Sequence, residues 1–362
     1  MSEREIYWKA DDQAQRLAEL VSSDEKVKEL PLRRDVRSLG KLLGVVIKEQ
    51  AGSKVFDDEE DLRHLAIRHR QRENGKGQGE PESPADEDLP REAMAAIARM
   101  SNAEAYQITK AFATFFELTN LAETNHRKRR SRAHRVNEEP KKPGTLRATL
   151  ERMRGAGIDA PQALEWLRRV EVVPVFTAHP TEVARRVVLF KRRRIARELE
   201  KLDRLPLAEA DASDSQEAIL AEITALWQSD AVRRRKPTVS DEIAMGLDHY
   251  PVSLLPVIAP IYEELARDFR EVYGVDLDPA ELPTVVRFGS WVGGDRDGNP
   301  HVSAGSTRAA LQKARELILA DYLGAVENLR QLLTPSTFRV GVSAPLREAL
   351  ERYMEEFPEE AR

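Results

Sequence analysis

Two short apolar runs constrain the fold of this otherwise helix-like sequence more than any other feature. Residues 172–177 read VVPVFT and residues 284–289 read TVVRFG. Both runs are rich in β-branched residues and bounded by turn residues, which is typical of strands buried on both faces. Pro174 weakens the first strand, because proline has no N–H to donate to a neighbouring strand. Each run is followed by a polar motif and then a helical pattern, so the sequence predicts part of a parallel α/β sheet or barrel.

The first 150 residues are predicted to be helical. One apolar stripe with spacing i, i+3, i+4, i+7 consists of Leu39, Leu42, Leu43 and Val46. A second stripe consists of Ile108, Phe112, Phe115 and Phe116. We expect both stripes to face a core.

Residues 73–90, between the two stripes, are rich in Gly, Pro, Glu and Asp and almost free of large apolar side chains. Such a segment buries too little surface to offset the entropy lost on ordering. We therefore predict a mobile loop over residues 73–90, inside an N-terminal helical region of residues 1–150. Residues 151–362 would form the start of a barrel region, with strands near 172–177 and 284–289.

The composition excludes several classes of site. The sequence has no cysteine, which excludes disulfides, thiolate metal sites and a cysteine nucleophile. No run approaches ~18 uninterrupted apolar residues and the first residues lack the apolar stretch of a secretory signal, so we expect a cytoplasmic protein without a membrane span.

The charge pattern argues against nucleic acid as a partner. The net charge is −5, so a global basic footprint is missing. Basic runs do occur at residues 127–135, 191–194 and 233–236, each flanked by acidic helical sequence. That pattern favours a solvated or salt-bridged face over a nucleic-acid interface.

The motif TAHPTE places His179 between the first predicted strand and a helix. Pro180 suits the first turn of that helix, and Glu182 complements its positive end. A helix start binds anions and disfavours an imidazolium, which leaves His179 available as a neutral base. Arg185 and Arg186, in the second turn, would complete an anion pocket. The alternative is that His179 only caps the junction, since histidine is used for both purposes.

The motif GSWVGGDRDGNP follows the second predicted strand. Its glycines, Gly293 and Gly294 among them, indicate unusual backbone angles or the close approach of a ligand. Trp291 is placed to wall a pocket. The remaining candidate residues are Asp295, Arg296, Asp297 and Asn299, in which two aspartates flank an arginine and would hold the loop's charges in a fixed network. The alternative is a tight turn that satisfies only itself.

These two motifs resemble those of one family. TAHPTE, with the Arg185–Arg186 pair, is similar without a mismatch to the histidine signature of phosphoenolpyruvate carboxylases, and residues 289–300 resemble the family's glycine-rich block. Shorter similarities follow in the family's order, among them LRRDV from Leu32, FEL from Phe116 and LWQ from Leu226. The resemblance extends over residues 30–330, nearly the whole chain.

The resemblance implies the N-terminal segment of a bacterial-type, metal-dependent lyase. Family members join bicarbonate to phosphoenolpyruvate and release oxaloacetate, which feeds the tricarboxylic acid cycle, and phosphate. His179 would be the catalytic histidine, and the loop of residues 291–299 would lie beside the same pocket. The implied fold is mainly α with α/β: many helices around a (β/α)₈ barrel, with only the first two barrel strands present. The complete protein would be a homotetramer.

The family's Mg²⁺ or Mn²⁺ ligands, a catalytic lysine and a Gly-Arg-rich phosphate loop are expected outside this chain, because the sequence has no counterpart of that loop. The resemblance therefore implies a complementary C-terminal part and an isolated chain without activity. Two alternatives stay open. One is a non-catalytic remnant or partner subunit acting as a helical interaction module, and the other is a nucleic-acid binder that uses the basic runs.

Overall fold

The structure is a computed structural model that describes residues 5–8, 13–75, 84–136, 144–177, 186–204, 206–229, 237–297, 299–336 and 338–358. Helices dominate these ranges. In chain order they are α1 (Gln13–Val21), α2 (Glu25–Lys28), α3 (Leu30–Ala51), α4 (Ser53–Gly75), α5 (Pro84–Ala98), α6 (Asn102–Val136), α7 (Leu146–Gly155), α8 (Ala160–Leu167), α9 (Arg186–Leu202), α10 (Glu209–Trp227), α11 (Val239–His249), α12 (Leu255–Tyr273), α13 (Ala304–Leu332) and α14 (Ala344–Glu356). None of these described helices has the length and apolar character that crossing a membrane requires.

The other regular elements are short. A π-helical turn, Tyr250–Leu254, joins α11 to α12, and a 3-10 turn covers Pro279–Glu281. The strands β1 (Val175–Phe176) and β2 (Gly289–Ser290) form a parallel pair. A mainly helical chain with a small parallel sheet agrees with the predicted fold class.

The chain divides into two compact units that are not continuous in sequence. The first unit comprises Met1–Arg152 and Ala184–Lys236, and the second comprises Met153–Val183 and Pro237–Arg362. This division differs from the predicted boundary at residue 150, because α9 and α10 pack with α3 and α6 of the first unit. The buried residues of α9 and α10 include Ile195, Leu199, Ile219 and Ile223.

The first predicted stripe is confirmed: Leu39, Leu42, Leu43 and Val46 are all buried on α3. The second stripe is confirmed only in part. Ile108 is buried and Phe112 and Phe115 pack against the core, but Phe116 is 62% exposed. The buried positions of α6 recur at 108, 111, 118 and 122. Phe116 lies outside that face because each helical residue turns the chain by ~100°.

The predicted loop over residues 73–90 is too long at both ends. Helix α4 continues to Gly75, and α5 begins at Pro84 and contains Pro90. The sequence REAMAAIA, which follows Pro90, consists mostly of strong helix formers, and the acidic residues before Pro90 complement the positive end of a helix. These local preferences outweigh the polar composition. Residues 76–83 lie outside the described residues.

The predicted strands are found in the right places but are shorter than predicted. An isolated bridge joins Val172 to Val286 ahead of the β1–β2 pair. Pro174 accepts a hydrogen bond from the Gly289 N–H (3.0 Å) but has no N–H to return, which interrupts the ladder. Burial on both faces is wrong for the first strand, since Val172 is 51% and Val175 47% exposed. Burial on a sheet face needs a covering layer, and these side chains lack one in the described residues.

Two of the basic runs contribute residues to helices α6 and α9, and these residues form ion pairs with carboxylates. Glu222 of α10 forms ion pairs with Lys191 and Arg194 (2.9 and 2.7 Å). Arg129 of α6 lies between two buried aspartates, Asp35 and Asp203. These pairs agree with the interpretation of a salt-bridged face, while the third run, residues 233–236, lies outside the described residues.

Candidate active site

A short parallel ladder brings the ends of the two strands together in the second unit. Val175 is opposite Gly289, and Phe176 is opposite Ser290. The Val172 N–H donates to the Val285 carbonyl (2.8 Å), and the Arg287 N–H donates back to Val172 (3.0 Å). Beyond the pair, the Trp291 N–H donates to the Phe176 carbonyl (2.8 Å). Because the strands are parallel, whatever follows Phe176 and Trp291 starts at the same edge of the sheet.

The histidine motif itself starts just beyond the described part of β1. His179 and Arg185, two of the predicted site residues, lie outside the described residues. Arg186 is the first residue of α9, and the structure describes its backbone but not its side chain. Their assignment therefore stays a prediction, and the described geometry fixes only the strand that leads to them.

The glycine-rich loop is held by a tight turn at its start. The N–H groups of Gly294 and Asp295 both donate to the Trp291 carbonyl (3.0 and 2.9 Å). Gly293 has φ +80°, and a Cβ there would lie 2.8 Å from the Ile243 side chain. Position 293 therefore requires glycine both for its backbone angle and for space. The Gly293 carbonyl accepts a hydrogen bond from the Thr307 hydroxyl (2.9 Å) in the first turn of α13.

The polar side chains of the loop support its backbone. The Asp297 N–H donates to the Asp295 carboxylate (3.0 Å), and the His301 N–H donates to the Asn299 side-chain oxygen (3.1 Å). The predicted network around Arg296 is wrong, because within the described residues no ion pair joins Arg296 to Asp295 or Asp297, and all three are exposed. Trp291 is 57% exposed at the strand end. An exposed guanidinium and indole at this edge are free to meet a ligand.

Aromatic residues that the sequence analysis missed brace both strands. The Tyr250 ring lies 5.6 Å from the Phe176 ring and 5.4 Å from the Phe288 ring, centroid to centroid. The neighbouring His249 ring stacks on Phe176 at 6.2 Å. Burial raises the pKa of the Tyr250 phenol above its ordinary value. The available signal was the aromatic pair before Pro251, where a π-helical turn occurs, because such turns are frequent at functional sites.

A second tyrosine, Tyr262 of α12, was also missed. Its hydroxyl accepts hydrogen bonds from the N–H groups of Val285 and Val286 (2.9 and 3.4 Å). These N–H groups precede β2, so Tyr262 fixes the approach of the second strand to the first. Nothing in the local sequence signals this contact.

The described residues contain no ligand set for the metal that the resemblance implies. Among them, no group of three or more histidine, aspartate or glutamate side chains is placed to hold a metal ion. Asp295 already accepts the Asp297 N–H, and Arg296 separates the two aspartates along the chain. Hard cations prefer several convergent oxygen ligands, so this loop does not fit Mg²⁺ or Mn²⁺.

The comparison with known proteins decides the family. The model of the phosphoenolpyruvate carboxylase family matches residues 32–362. The chain belongs to the phosphoenolpyruvate carboxylase family. Among curated relatives, phosphoenolpyruvate carboxylase of Ralstonia nicotianae is 35% identical over 91% of this chain, and that of Azorhizobium caulinodans is 36% identical over 92%. The enzyme of Xanthomonas euvesicatoria is 36% identical over 92%.

These relatives are much longer than this chain. The matched region covers 33% of the Ralstonia protein, 34% of the Azorhizobium protein and 35% of the Xanthomonas protein. The chain thus spans about a third of the phosphoenolpyruvate carboxylases it matches.

Proposed function

We propose that this chain supplies the histidine-bearing part of a phosphoenolpyruvate carboxylase active site. The observation that carries the proposal is the hydrogen bond from the Trp291 N–H to the Phe176 carbonyl (2.8 Å). His179 follows Phe176 by three residues, and Trp291 opens the glycine-rich loop. Both family motifs therefore start from one edge of the sheet, the edge at which parallel sheets and barrels bind ligands.

The proposed reaction joins bicarbonate to phosphoenolpyruvate. A bicarbonate oxygen forms a bond to phosphorus while the bond from phosphorus to the enol oxygen breaks, which leaves carboxyphosphate and the enolate of pyruvate. Carboxyphosphate loses its proton and divides into carbon dioxide and phosphate. The enolate carbon then forms a bond to carbon dioxide, and the product is oxaloacetate.

Each candidate residue has a proposed role in this sequence of steps. His179 takes the proton of carboxyphosphate and passes it to the departing phosphate, which a neutral imidazole does well near pH 7. Arg185 and Arg186 bind phosphate oxygens. The loop from Trp291 to Asn299 forms a wall of the pocket. Mg²⁺ or Mn²⁺ would neutralise negative charge on the reactants when bound, and we place its ligands in the complementary C-terminal part.

The proposal includes a complementary part because one face of the second unit is apolar and exposed. We propose that β1 and β2 are the first two strands of a (β/α)₈ barrel that the C-terminal part completes. The exposed apolar residues of α13 include Leu311, Leu319, Leu323, Val326, Leu329 and Leu332. A surface of this kind marks an interaction site. Assembly into a homotetramer in the cytoplasm rests on the family resemblance alone.

The same exposed helices favour a second candidate function. A chain that keeps the α13 and α14 faces for a partner but does not use His179 would be a non-catalytic interaction module. The two candidates differ in one respect that an assay measures: only the first needs the imidazole of His179.

The test is His179→Asn in the complete enzyme that contains this segment. We expect oxaloacetate formation to fall ~10²–10⁴-fold while phosphoenolpyruvate still binds, because general acid–base groups contribute about that much. His301→Asn is the matched control, since His301 is an exposed histidine next to the same loop and should leave turnover unchanged. Near-normal turnover of His179→Asn would remove His179 from the reaction and leave the interaction module as the better candidate.

A further inference from the structure

A cavity of about 240 Å³ in the first unit is lined by more cationic than anionic side chains. One wall is the segment of residues 5–8, which Gln216 of α10 holds by accepting from the Tyr7 N–H (2.8 Å) and donating to the Glu5 carbonyl (2.9 Å). The cationic lining residues are Arg16 of α1, Arg34, Arg37 and Lys41 of α3, and Arg129 of α6. Glu5 and Asp35 are the acidic ones. We call this cavity the arginine pocket.

The deepest carboxylate of the arginine pocket, that of Asp35, already accepts hydrogen bonds from two donors. Asp35 accepts from Arg129 (2.6 Å) and from the Trp8 indole N–H (2.9 Å). Arg129 also donates to Asp203 (2.7 Å), and Asn125 donates to the other oxygen of Asp203 (2.9 Å). Arg129 is therefore one cation shared by two carboxylates, and the Trp8 N–H further reduces the repulsion of Asp35 toward an incoming anion.

Arg129 nevertheless keeps one donor unused. Its side chain is 9% exposed, and its Nη1 is buried without a hydrogen-bond partner among the described residues. A buried, unsatisfied group of this kind costs free energy, more when it is charged. Because Nη1 has almost no accessible surface, an acceptor in the cavity would remove that cost only if the Arg129 side chain turned toward it.

The other cations converge on the same space. The Arg16 Nη1 is fixed by the Leu202 carbonyl (3.0 Å), Arg34 pairs with Glu19, and Lys41 pairs with Glu5 (3.9 Å). Burial lowers the pKa of Arg16, Asp35 opposes this, and the positive charge of Arg129 lowers it further. Arg16 and Arg129 therefore repel each other in a partly buried place, and an anion between them would relieve that repulsion.

We propose that the arginine pocket binds a small phosphate-bearing dianion. Guanidinium groups recognise phosphate and carboxylate oxygens through paired N–H donors. Here the donors come from α1, α3 and α6, three different directions, whereas a planar carboxylate is satisfied by a single fork. A tetrahedral group presents oxygens in several directions at once and matches this arrangement. The pocket belongs to the first unit, and its occupation does not depend on the proposed reaction.

The test is isothermal titration calorimetry, in which inorganic phosphate is added to the 362-residue chain and the heat of binding is measured. Chloride keeps the ionic strength constant. We expect saturable binding that includes a site in the arginine pocket, distinct from any phosphate bound by Arg185 and Arg186. Arg16→Gln should weaken binding about tenfold or more, because a charged hydrogen bond is worth ~1.5–3 kcal/mol and each 1.4 kcal/mol is a factor of ten. Arg37→Gln is a second variant on the exposed rim, where a change in fold is least expected. Far-ultraviolet circular dichroism checks that each variant keeps its helices.

Two controls separate the arginine pocket from other anion sites. Arg33→Gln removes an equal charge from the same helix, at a residue that pairs with Glu29 outside the pocket, and should leave the affinity unchanged. Arg185→Gln removes a residue that we propose binds phosphate in the active site, so it would weaken any binding there and should leave the site that Arg16→Gln weakens unchanged. Absence of saturable binding, or equal weakening by Arg16→Gln and Arg33→Gln, would overturn the site. Succinate that binds as tightly as phosphate would overturn the choice of phosphate.

Discussion

Helices α3 and α13 use the same kind of apolar residue in opposite ways. In the first unit, α3 buries Leu39, Leu42, Leu43 and Val46 against α6 and α10. In the second unit, α13 has no buried residue, and Leu323 is 71% exposed. Helix α13 nevertheless has a stabilised N-terminus, because Ser303 and Ser306 form a capping box. Local signals thus form both helices, but among the described residues only α3 buries its apolar side chains, whereas α13 contacts α11 without burying any of its own.

This difference indicates where the molecule derives its stability. Most helical stability comes from packing of an apolar face rather than from propensity. The first unit has such packing, together with a buried ion cluster around Arg129. We propose that the apolar faces of α13 and α14 gain such packing from the complementary C-terminal part.

The largest effect is expected from Arg129→Met, which tests whether the first unit depends on its ion cluster. The change leaves Asp35 and Asp203 buried without their cation. Breaking a buried pair in this way costs ~3–5 kcal/mol. Urea unfolding followed by circular dichroism measures the loss. Arg127→Met is the control, since Arg127 is 82% exposed and should change the free energy of unfolding by less than ~0.5 kcal/mol. An equally small loss at Arg129 would show that the ion cluster adds nothing to the first unit.

A leucine pair compares the two regions directly. Leu39→Ala should lower the free energy of unfolding by ~2–5 kcal/mol, because Leu39 is 1% exposed and the change leaves a cavity. Leu323→Ala should change it by no more than ~0.5 kcal/mol. Chemical denaturation of both variants measures the contrast. Equal losses would mean that α13 is packed in this chain after all.

The helices and strands that depend on local residue patterns were predicted well from the sequence. The stripe around Leu39 was correct, and the strands at Val175 and Gly289 were found where β-branched runs occur. Phe116 was misplaced because an i+4 spacing from Phe112 does not say which side of a 35-residue helix faces the core. Residues 84–90 were predicted to be a loop from their polar composition, but the helix propensity of the residues that follow makes them part of α5.

Contacts between residues that are far apart in the chain could not be predicted from the sequence. Arg129 meets Asp35 and Asp203, which lie 94 and 74 residues away along the chain. Tyr250 reaches both strand ends only because a π-helical turn directs it there. At the candidate site, Gly293 was correctly singled out for its backbone angle, whereas the network proposed around Arg296 required side-chain directions that spacing cannot supply.

A smaller, pH-dependent effect is expected from His126 of α6, also in the first unit. Burial, with the positive charges of Arg129 and Arg130, lowers the pKa of His126 to about 4, and within the described part of the chain neither ring nitrogen has a hydrogen-bond partner. The unfolded chain binds this proton near the ordinary pKa of 6.5, and the folded chain resists it. The contribution of neutral His126 to the free energy of unfolding is therefore fully present above pH 6.5. It is lost as the pH falls toward 4, and the loss is at most about 3 kcal/mol.

His126→Leu isolates that contribution. Unfolding free energies measured at several pH values between 4 and 7 should fall less steeply for the variant than for the unchanged chain. Carboxylates titrate in both proteins, so the difference between the two curves belongs to His126. Superimposable curves would contradict the assignment.

The smallest change in unfolding free energy, with the clearest change in association, is expected from Leu323→Glu. We predict that the isolated chain is helical, unfolds with poor cooperativity and self-associates through its exposed apolar faces. A charge on α13 should reduce light scattering during thermal unfolding while the helical signal is kept. A monodisperse monomer with one sharp transition, before any substitution, would contradict this prediction.

The most direct measurement of the whole account mixes this chain with a C-terminal part of a relative and assays oxaloacetate formed from phosphoenolpyruvate and bicarbonate. We predict that neither piece is active alone, that the mixture is active, and that His179→Asn abolishes the activity of the mixture. Activity of the isolated chain, or a stable complex that is inactive with His179 present, would contradict the account.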